Sequence, residues 1–197
     1  MHIEGFLSPE EREYLINEGQ DILQPSLVLD SNGAKVLDQD RTSRSAFIPL
    51  NDPVSQCIRE RASEIQGLVN QRQVENLQIT AYKQGEKYSA HYDWFDGRVH
   101  PSANRASTFF VTLEADCDNC GTRFPRIQID QKLRNSYWCD FIDCRDLEGL
   151  TVHAVPGSAV FWRNLNASGM GDEMTLHEGL PLAAGTKTGL NIWTREY

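Results

Sequence analysis

His91 and Asp93 stand two residues apart in the segment Tyr82-Lys-Gln-Gly-Glu-Lys-Tyr88-Ser-Ala-His91-Tyr-Asp93-Trp94. On a β-strand that spacing turns both side chains to one face, so an imidazole and a carboxylate can grip one metal ion. A third ligand must come from elsewhere, and His2, His100, His153 and His177 are the candidates. His177 stands out by its context, Thr175-Leu-His177-Glu-Gly179-Leu-Pro181, where a strand closes into a Gly/Pro turn. Two histidines and one carboxylate on one face of an octahedron leave three positions open. That is the arrangement of non-haem Fe(II) sites that take up a co-substrate and oxygen. Alone, an H-x-D triplet recurs by chance and reads equally as a histidine beside a solvated aspartate, so other residues must decide.

Lys187 follows His177 by ten residues and opens the run Lys187-Thr-Gly-Leu-Asn-Ile-Trp-Thr-Arg195. In a strand Lys187, Gly189, Asn191 and Trp193 share one face, and Leu190 and Ile192 the other. A lysine on an inner face is costly unless it meets an anion. A dicarboxylate held on the metal at one end would supply that anion at the other. The bland alternative is a lysine at a strand start with its head in solvent. Tyr82, nine residues before His91, falls on the polar face of the preceding strand, where its hydroxyl can share the far carboxylate or serve as an ordinary half-buried tyrosine. The apolar run Pro156-Gly-Ser-Ala-Val-Phe-Trp162 suits one wall of a pocket as well as plain core packing. The polar loops 30–44 and 96–104, rich in Gly, Asn and Ser, are candidates for a lid.

These residues need a scaffold. Ser8 is a good N-cap, Pro9 suits the first helical position, and Glu11 completes a capping box; Gly19 can end that helix. Residues 24–46 read as weak strand and loop. Asp52 and Pro53 open a second helix, whose apolar stripe Val54, Ile58, Ala62, Ile65 and Val69 predicts an end near Gln71. After Val74 the period changes to two, with Leu77, Ile79 and Ala81 alternating against Gln78, Thr80 and Tyr82. Further strands are expected at 88–94, 107–113, 126–129, 159–162, 175–177 and 189–194. Helices followed by many short strands predict a mainly β fold with helices (α+β), a jelly roll backed by N-terminal helices. The chain reads as a single domain over 1–197, with helical support over about 1–73 and a β core over about 74–197.

Composition narrows the function. The 197 residues carry a net charge of −9 with a pI near 5.0. That argues against general nucleic-acid binding, which rests on neutralising phosphates. No apolar run approaches a membrane span, and the start MHIEGFLSPEE lacks the basic and apolar regions of a signal peptide. Of five cysteines, Cys57 sits in the second helical pattern and reads as a buried apolar thiol. Cys117 and Cys120 form C-x2-C, and Cys139 and Cys144 form C-x4-C. These four are open to a zinc site, two short disulfides or four free thiols.

The chain resembles the prolyl 4-hydroxylase-like branch of the 2-oxoglutarate/Fe(II) dioxygenases along nearly its whole length. The resemblance runs from Phe6-Leu-Ser-Pro-Glu-Glu11 through Arg41-Thr-Ser43, Glu75-Asn-Leu-Gln-Ile79, Tyr82 to Asp93, Arg105-Ala-Ser-Thr108, Gly121-Thr-Arg-Phe-Pro125, Pro156 to Trp162, and Leu176-His-Glu-Gly-Leu-Pro181 to Trp193-Thr-Arg195. The wording around Cys139, Cys144 and Gly189–Thr194 looks most like fungal-type members. The resemblance implies a double-stranded β-helix, with His91, Asp93 and His177 on Fe(2+). It implies that Lys187 pairs with the C5 carboxylate of 2-oxoglutarate and that Tyr82 hydrogen-bonds the same end. Glu75, Tyr88, Arg105 and Trp193 then fall where members line the substrate groove. A disulfide between Cys139 and Cys144 is implied as well, which would suit the lumen of the secretory pathway if a leader has been trimmed away. Glu178 and Leu180 depart from the residues usual around the distal histidine, and 131–151 is longer than in compact relatives.

The reading is an oxidoreductase that uses Fe(2+), 2-oxoglutarate and O2, with ascorbate as reductant, to hydroxylate an aliphatic C–H and release succinate and CO2. Proline in a peptide or protein is the leading substrate. An alternative is free proline or a small natural product, and one of another class is a non-catalytic cupin-like metal-binding module.

Overall fold

Both helices begin where their capping residues stand. In α1 (Pro9–Gln20) the Ser8 hydroxyl accepts from the Glu11 N–H at 3.2 Å, while the Glu11 carboxylate accepts from the Ser8 N–H at 2.9 Å. In α2 (Pro53–Ile65) the Asp52 carboxylate accepts from the Ser55 N–H at 2.7 Å. The coordinates are a computed structural model, which describes residues 1–29, 34–67, 69–95, 104–118, 120–130, 132 and 137–196.

One helix end differs from expectation. α1 ends at Gln20, one residue past Gly19, which is buried; a Cβ there would come within 2.6 Å of Cδ1 of Ile79, so the glycine lets the helix approach the sheet. The second helix stops at Ile65, short of Gln71, because Gly67 adopts φ +86°. Residues 71–73 form a separate 3-10 turn capped by Asn70. The inward face of α2 carries Ser55, Ile58, Arg59, Ala62 and Ser63. Cys57 points the other way and is an exposed free thiol rather than a buried one, and Ile65 is likewise exposed.

The strands are β1 (His2–Ile3), β2 (Gln24–Pro25), β3 (Val28–Leu29), β4 (Lys35–Val36), β5 (Arg44–Phe47), β6 (Gln78–Lys83), β7 (Tyr88–His91), β8 (Arg105–Asp118), β9 (Thr122–Phe124), β10 (Leu150–Val152), β11 (Ala159–Arg163), β12 (His177–Gly179) and β13 (Ala184–Arg195). They form a large antiparallel sheet in the order β1-β11-β8-β13-β6-β5-β2, a small one in the order β10-β9-β12-β7, and a β3-β4 pair. This is the expected helix-backed jelly roll. Its core lies between the helices and the large sheet, where Leu15, Ile58 and Ala62 meet Leu77, Ile79, Phe109, Val111, Leu113, Leu190 and Ile192. Each of these side chains larger than alanine contributes roughly 1.5–3 kcal/mol by leaving water. Strand alternation turns the opposite face, with Gln78, Tyr82, Lys187, Asn191 and Trp193, toward the small sheet.

Three local expectations shift. The strand expected at 126–129 is instead β9, one turn earlier, because Pro125 has no N–H for a ladder. Residues Glu173–Thr175 form a 3-10 turn capped by Asp172, and the strand begins only at His177. The run at 88–94 stops being a strand after His91. The four remaining cysteines pair within their motifs, as Cys117–Cys120 and Cys139–Cys144, which leaves no zinc knuckle. The loops read as lids fall in part on 30–33 and 96–103, which lie outside the described residues, as does His100.

Candidate active site

His91 closes β7 and His177 opens β12, and the two are Cα partners across the small sheet. Asp93 is carried to them by the bend after β7 rather than by strand alternation. Oδ1 of Asp93 lies 3.8 Å from Nε2 of His91, and Oδ2 lies 3.7 Å from Nε2 of His177. One ligand atom from each residue falls within 4.8 Å of the others. His2 instead packs at a tilt against Phe141, and His153 sits beside Asp143.

The hydrogen bonds set the tautomers. Nδ1 of His91 lies 2.8 Å from the Ser89 carbonyl, and Nδ1 of His177 lies 2.9 Å from the Thr175 carbonyl. A carbonyl only accepts, so both protons sit on Nδ1 and both Nε2 lone pairs face Asp93. Burial, then the neighbouring His177, pushes His91 down to about 3, which keeps its imidazole neutral. Burial alone would raise the Asp93 carboxyl, but His177, His91, Arg105 and the Thr108 hydroxyl outweigh it and hold it below its ordinary value. An Nε2 lone pair from each imidazole and one ionised carboxylate are the donor set a divalent metal requires, so these residues fit iron.

The triad opens on a cavity of about 1330 Å3 between the two sheets. Lys187 lines it and is 3% exposed. Its ammonium donates to the Cys120 carbonyl at 2.7 Å and lies 4.9 Å from the centre of the Phe110 ring. It has no carboxylate partner among the described residues, and burial lowers it from 10.5 to about 7. Gly189 makes room for the Phe110 ring, since a Cβ there would fall 2.4 Å from Cζ. Tyr82 is the Cα partner of Lys187, shares its face and is 6% exposed. Burial raises its hydroxyl pKa.

The four groove residues line the same cavity. The Arg105 guanidinium donates twice to Glu75, at 2.8 and 3.1 Å, and Arg195 adds a third bond at 2.9 Å. Arg105 also lies 3.6 Å from the Trp193 ring centre. Burial pushes the Glu75 carboxyl up, yet the two arginines bring it below its ordinary value. Tyr88 stands apart from this group: it stacks on His91, with centroids 3.5 Å apart, and burial raises it to about 12. Sequence reasoning misses Arg41, which lies over Tyr88 at 4.6 Å and donates to Gln78, and it misses Asn191 as the second donor to Gln78. For Asn191 the signal was present in the polar alternation of β13, whereas Arg41 lies outside the named strands. It also misses Thr122, which lines the cavity from β9.

Residues 77–195 match the model of the 2OG-Fe(II) oxygenase superfamily. The chain is 31% identical over 195 residues to prolyl 4-hydroxylase 2 of Arabidopsis thaliana, covering 96% of this chain and 64% of that protein. It is 30% identical over 200 residues to prolyl 4-hydroxylase subunit alpha-3 of Homo sapiens, covering 98% of this chain and 32% of that protein. The chain thus spans less than two thirds of the plant relative and about a third of the human one. A viral collagen prolyl hydroxylase from Paramecium Bursaria Chlorella virus-1, solved with 2OG, aligns with a TM-score of 0.72 at 23% identity, covering 100% of this chain and 96% of that one. A Pseudomonas putida prolyl-4-hydroxylase aligns with a TM-score of 0.63 at 16% identity, covering 100% and 92%. At those identities the structures speak for the fold.

Proposed function

We propose that this chain, which belongs to the 2OG-Fe(II) oxygenase superfamily, hydroxylates proline in a peptide or protein at the expense of 2-oxoglutarate and O2, releasing succinate and CO2. One observation carries the reading: a His-Asp-His donor set and a buried lysine without a carboxylate partner among the described residues face one cavity. The names of the curated relatives favour a prolyl substrate. Residues 1–73 supply the two supporting helices together with strands β1, β2 and β5 of the large sheet, and 74–197 the catalytic core of one domain.

His91, Asp93 and His177 hold the iron through two Nε2 atoms and a carboxylate oxygen. Iron, when bound, supplies the redox chemistry that activates oxygen, and ascorbate keeps it ferrous. Lys187 and Tyr82 hold the far carboxylate of 2-oxoglutarate. Between them they supply a charge and a hydroxyl in a site that excludes water, where both count for more than in bulk solvent. Glu75 orients Arg105 and Arg195, and Arg105 braces the Trp193 ring. The indole N–H of Trp193 is buried with no hydrogen-bond partner among the described residues. Tyr88 walls the cavity beside His91, its ring held between the His91 imidazole and the Arg41 guanidinium.

The test is succinate release with Fe(II) and ascorbate, joined to mass spectrometry of proline-rich peptides and of free proline. A 2-oxoglutarate-dependent gain of one oxygen on a peptide proline is expected. Turnover that survives His91→Ala and His177→Ala would sink the ligand assignment, and hydroxylation of free proline alone would move the substrate to the small-molecule class.

A further inference from the structure

We propose that Trp162, Asn164 and Thr108 form a directional hydrogen-bond relay that fixes the Asp93 carboxylate for metal binding, an inference that rests on the ligand set proposed above. The Thr108 hydroxyl lies 2.7 Å from Oδ2 of Asp93, Nδ2 of Asn164 lies 2.8 Å from that hydroxyl, and Nε1 of Trp162 lies 2.8 Å from Oδ1 of Asn164. Thr108 and Asn164 are both 0% exposed.

Chemistry at the two ends fixes the direction. An indole N–H can only donate, so Asn164 presents its oxygen to Trp162 and its amide nitrogen to Thr108. The Thr108 oxygen accepts from that nitrogen, so its single proton points to Asp93. An ionised carboxylate can only accept, which closes the chain without conflict. Oδ2 of Asp93 is thereby engaged by a neutral donor, which fixes the carboxylate with Oδ1 3.8 Å from Nε2 of His91 and Oδ2 3.7 Å from Nε2 of His177.

Strand register assembles the relay. Thr108 on β8 and Trp162 on β11 are Cα partners on one face of the large sheet. Asn164 follows β11, its N–H donating to the Ala106 carbonyl at 2.8 Å and its own carbonyl accepting from the Asp172 N–H at 2.8 Å. The same Trp162 ring meets His177 edge-on, with centroids 4.7 Å apart. One tryptophan therefore steadies His177 by contact and Asp93 through two intermediaries, although these ligands sit on different segments. Outer hydrogen bonds of this kind commonly alter metal affinity by roughly 10–100-fold. A buried asparagine is costly unless both ends of its amide are bonded, and here both are. Thr108, Asn164 and Trp162 are positioning residues, since none supplies a ligand atom.

The test titrates Co(II) into metal-free protein, reading both the dissociation constant and the d–d absorption, with thermal unfolding of the metal-free form alongside. Thr108→Val keeps the shape and removes the hydroxyl. It is expected to weaken Co(II) by roughly 10–100-fold and to change the absorption spectrum, and Thr108→Ser should restore both. Trp162→Phe, which keeps a ring against His177 and loses only the donor, should shift both in the same direction by a smaller factor, and it carries the test if Thr108→Val does not fold. A merely structural role would lower the unfolding temperature and leave the constant and spectrum unchanged, which overturns the relay. Equal Co(II) binding by wild type and His177→Ala would instead overturn the ligand set, and the relay with it.

Discussion

Replacing Lys187 by methionine should weaken 2-oxoglutarate binding by roughly two to four orders of magnitude while making the ligand-free protein more stable at neutral pH. The ammonium is 3% exposed, and its one hydrogen bond goes to the Cys120 carbonyl. Burial lowers it from 10.5 to about 7. At about 1.36 kcal/mol per unit, keeping it charged costs the ligand-free fold on the order of 5 kcal/mol. The folded pKa lies below the unfolded one, so between about pH 7 and 10.5 the unfolded chain binds more protons and stability rises with pH, flattening below 7. Methionine fills the space without that penalty. A dicarboxylate supplies the missing partner, and removing one member of such a buried pair costs about 3–5 kcal/mol. The ammonium must be protonated to bind, so the wild type should take up close to one proton per 2-oxoglutarate at pH 8 and almost none at pH 6. Calorimetry of the Mn(II)-loaded protein, in buffers of different ionisation enthalpy, reads both affinity and proton uptake. An affinity for Lys187→Met within about fivefold of wild type, or the same uptake at pH 8 in the variant, would refute the assignment.

Three other outcomes follow from contacts around the cavity. Because the Lys187 ammonium leans on the carbonyl of a disulfide cysteine, Cys117→Ser/Cys120→Ser should raise the 2-oxoglutarate Kd by roughly 3–10-fold, about one hydrogen bond's worth, whereas Cys139→Ser/Cys144→Ser should not move it. Glu75→Gln removes the charge shared by Arg105 and Arg195, so steady-state kinetics should show peptide KM rising about tenfold with peptide-independent 2-oxoglutarate turnover preserved. Gly185 has φ +80°, and a Cβ there would fall 1.8 Å from the Asp116 carbonyl oxygen. Gly185→Ala should therefore cost on the order of 2–4 kcal/mol, read in urea denaturation, and an unchanged midpoint would contradict the β8–β13 register.

Helix starts were legible to the residue, because capping is local chemistry: Ser8 with Glu11, and Asp52 with Pro53, each satisfy N–H groups within one turn. Helix ends were less so. The apolar stripe of α2 continues past Gly67, but a left-handed backbone there outweighs periodicity. Gly19 lies one residue from the end of α1, as its type suggests, and it also gives clearance to Ile79, a residue sixty positions on. Alternation located β6 and β13 well because both faces of those strands are constrained. It failed at 126–129 and 175–177, where Pro125 and the Asp172 cap decide the local structure.

The site was legible to the extent that its chemistry is scarce. Few environments justify a lysine on an inner strand face, so Lys187 could be singled out, and Tyr82 proved to be its Cα partner. Thr108, Asn164 and Arg41 carry no such mark, since in one dimension a threonine or asparagine in a strand reads as the solvent side of an alternation. The large sheet breaks that rule: its apolar face meets the helices, while its polar face meets the small sheet across the cavity. Polar residues on β6, β8 and β13 are therefore interior residues, and each needs a partner there. Some find one another, as Arg41 and Asn191 find Gln78, and Thr108 finds Asp93 and Asn164. Among those left without a partner among the described residues are the Thr80 hydroxyl, the Trp193 indole N–H and the Lys187 charge, and on the proposed function an anionic co-substrate supplies the partner of the last. The polar face of a buried sheet thus reports its ligands through the bonds it leaves unmade.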